Sequence, residues 1–207
     1  MNDLGIRCLY GRMTLTEDTE PLLPPDFRRG FCWVADGTGL GVGFAPQRFR
    51  TRPDGAQDYL MTTLAAPAAL IGVPDAELFA MTPESLWKLT VDATADWDPA
   101  VRALLAHADP ESFFPITIRA AERIPAWESG PVTLLGDAIH TMPPTGGVGA
   151  NTALQDAESL ASELVKAAAG EQSLLAAVAA YERVMLPRGF DTVDSSLRMA
   201  GQLFAAQ

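Results

Sequence analysis

The apolar positions of this 207-residue chain follow two rhythms, one with the period of a strand and one with the period of a helix. Leu40, Val42 and Phe44 alternate with Gly41 and Gly43, and together with Phe31 to Asp36 they predict two strands around the turn DGTG. A further strand is predicted over Gln57 to Leu64, after the polar turn TRPDG. Phe114, Ile116, Ile118 and Ala120 repeat the alternation and predict a half-buried strand. Between these strands, Leu86, Leu89 and Ala93 follow Pro83 at helical spacing, and Val101, Leu104 and Leu105 follow Asp98-Pro99. Each proline marks a helix start, because its missing N–H is not needed there. Residues 1 to 30, with Gly5, Gly11 and PLLPPDFRRG, read as turn-rich.

The last third of the chain is patterned differently. Val132 to Leu135 is a short apolar run expected to form a buried strand, and Gly136 and Asp137 follow it in a turn. After a Pro/Gly loop, a long helix is expected from about Gly149, with Leu154, Ala157, Leu160, Ala161, Leu164, Val165 and Ala168 facing inwards and Gly170 as its stop. Leu174, Leu175, Val178, Tyr181 and Val184 predict a helix over Ser173 to Met185. Pro187 is expected to interrupt it before a closing helix of about Arg188 to Phe204. The order predicts an α+β chain with a mainly antiparallel sheet and C-terminal helices. The expected division is a sheet region with inserted helices over 1–125 and a strand-loop-helix region over 126–207. No internal repeat stands out.

A glycine-rich loop feeding a helix start has a chemical meaning. The first N–H groups of a helix have no partner inside it, and the helix dipole adds partial positive charge there. Glycines at 146, 147 and 149 let another molecule approach that bare backbone. Such a place suits an anionic or electron-rich ligand, and Asp137 adds a fixed acceptor nearby. His140 has no G-x-S-x-G elbow to serve and too few companions for a metal, so it reads as a structural, hydrogen-bonded residue. Asp156 reads as a favourable charge early in the helix. No catalytic side chain and no metal site are assigned.

Composition narrows the classes further. Hydrophobic residues make up 48% and charged residues 20%, as in a soluble globular protein. Fifteen basic against 26 acidic residues give a net charge of −11, which disfavours a general nucleic-acid or anionic-membrane binder. Cys8 and Cys32 form no C-x-x-C and read as reduced thiols. No stretch approaches the roughly 18 apolar residues of a membrane span, and a cytoplasmic location is expected.

The order GD, then PPTGGVGAN, then a DA-containing amphipathic helix resembles the second flavin-binding motif of FAD-dependent aromatic monooxygenases, the para-hydroxybenzoate hydroxylase-like group. The run ERIPAWESGPVTLLGDA fits the same family. The resemblance implies that Gly136 and Asp137 meet the ribityl chain of FAD. It sets Gly147, Val148, Gly149, Ala150 and Asn151 around the pyrimidine end of the flavin ring. Pro144, Thr145 and Gly146 are implied to face an aromatic or apolar substrate. It further implies NAD(P)H as reductant and O2 as oxidant, with hydroxylation through a flavin C4a-hydroperoxide.

The resemblance spans the chain but covers only the later part of the family pattern. The G-x-G-x-x-G unit that holds the ADP half of FAD in family members is absent from these residues. The implied partner is therefore an N-terminal half or a second chain carrying it. The competing reading is a non-catalytic truncated module that binds a hydrophobic small molecule or a partner chain. A flavin-dependent halogenase is disfavoured, because W-x-W-x-I-P does not occur.

Overall fold

The computed structural model describes residues 1–204, so the last three residues of the 126–207 region lie outside it. The chain forms two compact units, one of Gly5–Ile118 with Phe204 and one of Met1–Leu4 with Arg119–Leu203.

The first unit is built on a five-stranded sheet. Its strands are β1 (Asn2–Thr14), β2 (Cys32–Ala35), β3 (Gly41–Gln47), β4 (Tyr59–Pro67) and β5 (Phe114–Ala120), in the order β2-β3-β4-β1-β5. The pairs β1/β4, β2/β3 and β3/β4 are antiparallel, with β1 matched to β4 from Ile6↔Pro67 to Thr14↔Tyr59. Of the thirty residues read as turn-rich, Asn2–Thr14 instead form a thirteen-residue strand beside β4, whereas the rest, with 3-10 turns at Glu20–Leu22 and Pro25–Arg28, are turn-rich as expected. Gly11 misled because its role is close packing: a Cβ there would stand 2.4 Å from the Phe113 ring.

One face of the sheet carries Leu9, Met13, Val42, Phe44, Leu60 and Leu64 into the core. Four helices complete this unit: α1 (Ala68–Ile71), α2 (Asp75–Leu78), α3 (Pro83–Ala93) and α4 (Pro99–Ala106). They contribute Leu78, Leu86, Leu104 and Leu105 to the same core. The two longer ones begin as their prolines predict. Thr82 accepts from the Ser85 N–H to cap α3, and Asp98 accepts from the Ala100 N–H to cap α4. Phe114, expected inside, is 48% exposed at the start of β5, whereas Ile118 and Ala120 are buried. On the other face, Trp33 and Phe31 stack over the glycines of β3, their rings 6.5 Å apart and 20° from parallel. A Cβ on Gly41 would lie 2.2 Å from Trp33.

The second unit consists of an extended segment, a single helical turn α5 (Asp137–His140) and two long helices, α6 (Gly149–Ala168) and α7 (Leu174–Leu203). Three expectations fail here. Val132–Leu135 forms no strand, and Val132 is 76% exposed. Such a largely apolar run pairs only where neighbouring strands flank it, and the described residues supply none beside it. Instead the side chains of α7 hold the segment. Glu182, 3% exposed, accepts from Trp127 Nε1 (3.1 Å), Ser129 Oγ (2.5 Å) and Thr133 Oγ1 (2.8 Å). Tyr181 Oη donates to the Leu134 carbonyl at 2.8 Å. Burial, with the charge of Asp156 adding to it, pushes the Tyr181 hydroxyl well above its usual range and keeps it a donor.

The second expectation, the facing of α6, fails in large part, although Leu160 is half-buried against the core as expected. The buried residues of α6 are Thr152 and Asp156, while Leu154 is 68% and Val165 67% exposed. The third is the break at Pro187, through which α7 runs unbroken for 30 residues. A proline inside a helix costs on the order of 3 kcal/mol. Met185, Leu186 and Phe190 are all buried around it, and each such burial contributes about 1.5–3 kcal/mol.

Two outcomes follow from this packing. Gly41→Ala drives a methyl into Trp33 and should destabilise the sheet unit by about 1–3 kcal/mol, read by chemical denaturation. Cys8 is buried, and desolvation pushes its thiol up to about 12, whereas Cys32 is only half-buried. A thiol reagent such as Ellman's should therefore label Cys32 in the folded chain and reach Cys8 only on unfolding.

Candidate functional site

The loop between the extended segment and α6 starts at Gly136, whose φ of 58° and ψ of −139° suit glycine and few other residues. The Gly136 carbonyl accepts from the N–H groups of Ile139 and His140, each at 3.0 Å, and this closes the turn of α5. That turn leaves Asp137 exposed, while Ile139 and His140 point inwards and are buried. Thr141 then bonds in two directions. Its hydroxyl donates to the Asp137 carbonyl at 2.6 Å, and its carbonyl accepts from the Ala121 N–H at 2.8 Å.

Pro144, Thr145 and Gly146 form a 3-10 turn that Thr145 pins to α7 by donating to the Ser196 carbonyl at 2.8 Å. Gly147 follows at φ 62°, and Val148 heads α6 without a capping side chain. The first bond inside the helix runs from the Thr152 N–H to the Val148 carbonyl at 2.9 Å. The N–H groups of Gly149, Ala150 and Asn151 therefore have no helix partner. Gly147, Val148, Ala150 and Asn151 are exposed, and Gly149 is half-buried against Met142. Four of these five residues therefore face outward, and Met142 lies against the fifth.

Beside this corner lies a cavity of about 560 Å³ within the second unit. Gly146, Val148, Asn151 and Gln155 line it from the loop and α6, and Ser195 and Met199 from α7. Asp137 and Pro144 are not part of its lining. The structure thus brings Gly146, Val148 and Asn151 together around one hollow and leaves Asp137 on a separate exposed turn. Among the described residues, no group of His, Cys, Asp or Glu is arranged to hold a metal, and no helix is long and apolar enough to cross a membrane.

Under the loop sits a buried charge. Asp156 is 0% exposed and shares its carboxylate among three donors. Oδ2 meets His140 Nε2 at 2.5 Å and the Gly136 N–H at 3.0 Å, and Oδ1 meets an Arg188 Nη2 at 2.8 Å. His140 is hydrogen-bonded in the interior, but Asp156 is no exposed helix-dipole charge. Its partners are 16, 20 and 32 residues away, so no local pattern announced them. The one available signal was its spacing of four from Thr152, which marks a second, polar stripe on the helix.

A family model described as an FAD binding domain matches residues 88–196. A dual O-methyltransferase/FAD-dependent monooxygenase of Cercospora beticola is 32% identical over 97% of this chain and 26% of its own length. Salicylate hydroxylase of Pseudomonas putida is 36% identical over 55% of this chain and 26% of its own length. Among solved structures, an FAD-containing candidate monooxygenase of Photorhabdus luminescens superposes with a TM-score of 0.83 at 31% identity, over 98% of this chain and 55% of that one. The chain spans about a quarter of each curated relative and about half of the solved one.

Proposed function

Because this chain belongs to the FAD-binding domain family of FAD-dependent monooxygenases, we propose that it supplies the flavin-ring and substrate side of such an enzyme, acting on an aromatic or other apolar small molecule. The observation that carries this reading is the uncapped start of α6, where three successive N–H groups lack helix partners. In the proposed site Asp137 accepts from hydroxyls of the ribityl chain, with Gly136 behind it. The N–H groups of Gly149, Ala150 and Asn151 would hold the pyrimidine end of the ring, with Gly147 and Val148 beside them. Pro144, Thr145 and Gly146 face the substrate. The residues fit that group: glycines leave the backbone approachable, and the Asp137 side chain is exposed.

When bound, the flavin, reduced by NAD(P)H, supplies activated oxygen from O2, and the chain supplies placement and electrostatics. The α6 dipole stabilises negative charge at its start by about 0.3–1 kcal/mol when exposed, and up to about 2 when partly buried. Met142 and the buried Pro143 supply apolar surface that keeps water from the reacting atoms. The dinucleotide end needs a further unit, an N-terminal half or a second chain, and the apolar stripe on α6 with the open Val132–Leu135 run supports such completion. Two free thiols support a reducing, cytoplasmic setting.

The same exposed apolar surface favours a second reading, a non-catalytic module that binds a hydrophobic molecule or a partner chain. Co-expression with an ADP-binding half separates the two. The first reading expects a complex with flavin absorbance, and Asp137→Ala should weaken FAD about tenfold or more, the scale of one charge-assisted hydrogen bond. A flavin-free complex whose 207-residue chain still binds aromatic ligands would establish the second.

A further inference from the structure

We propose that Asp156 is the positioning residue of the flavin corner, a buried strut that fixes the Asp137 turn relative to the start of α6; the assignment of the corner to flavin rests on the reading above. Four observations converge on it. The Asp156 carboxylate, fully buried, is met by donors from two other elements: Gly136 and His140 at the two ends of the α5 turn, and Arg188 on α7. The turn also sits directly on α6, since a Cβ on Gly136 would stand 3.0 Å from that of Ala153.

From the other side, α7 is cut away to admit the histidine. A Cβ on Gly189 would lie 2.5 Å from His140 Cδ2 and 2.9 Å from its Cγ, atoms too near the backbone to swing aside. Among the described residues His140 Nδ1 is buried without a hydrogen-bond partner, so the Asp156 contact at Nε2 is the one that orients the ring there. Gly136 and Asp137 are consecutive, and Gly149 lies seven residues before Asp156 on the same rigid helix. The strut therefore sets the exposed carboxylate and the three bare N–H groups in one frame, with roughly 10 Å of helix axis between Asp156 and Gly149. A packing role alone would not need a charge at this place; an apolar side chain would pack the helices and leave the Gly136 N–H without an acceptor.

The test reads the chain before any flavin is added. Amide hydrogen exchange by NMR is compared for residues 136–142 and, as an internal reference, for residues 177–186 of α7. Asp156→Asn keeps the volume and removes the charge. Exchange at the Gly136 amide and its neighbours should accelerate at least tenfold, with the α7 reference unchanged within twofold. Arg188→Met removes one donor from a partly exposed position and should accelerate the same amides at least threefold, so the strut remains testable if Asp156→Asn does not fold. In the complex with an ADP-binding half, Asp156→Asn should weaken FAD at least tenfold. Unchanged exchange at Gly136, or equal acceleration in α7, overturns the proposal. A wild-type complex that takes up no FAD overturns the flavin reading, while the exchange result decides the strut by itself.

Discussion

A carboxylate taken out of water must be met by donors on every side that matters, and this requirement sets the rotation of α6. Once Asp156 is turned inward to His140, the Gly136 N–H and Arg188, every other residue of the helix has its direction assigned. At 100° per residue, Leu154 stands about 200° away and Val165 about 180° away, so both look outward. The outward facing of Leu154 and Val165 is therefore the geometric consequence of the inward charge, while Leu160, about 40° from Asp156, packs inward beside it. Neither can be moved without the other.

The same logic holds for the neighbouring segment. Val132–Leu135 has the composition of a strand covered on both faces, yet the second unit fastens it with side chains of α7. Glu182 collects three neutral donors, and Tyr181 takes a carbonyl, which replaces part of what a ladder of backbone bonds would provide. Glu182 and Asp156 are both buried acids facing into the second unit, but they differ in balance. Asp156 has a guanidinium beside it, whereas the donors to Glu182 among the described residues are neutral.

Much of the fold was legible because it is local. The prolines at 83 and 99 with their Thr and Asp caps, the alternation in β3 and β5, and the stop at Gly170 depend on neighbours a few residues away. The loop from Gly136 to Asn151 was legible as an ordered motif, and its open backbone follows from glycine content and the missing cap. What escaped depends on distant partners. Gly11 read as a turn because nothing nearby names Phe113, and Pro187 read as a break because the burial that outweighs it comes from packing. The α6 stripe read as inward by the ordinary rule that apolar faces are covered, and the buried Asp156 that turns the helix the other way is bonded 16 to 32 residues away.

The stacking of Trp33 on β3 has one more consequence. Positions 33 and 41 occupy a single volume divided unequally between two strands, with all of the bulk assigned to one of them. A change at either position alone leaves a hole or a collision. A side chain at position 41 fits on this face only if the ring at position 33 is made smaller to admit it.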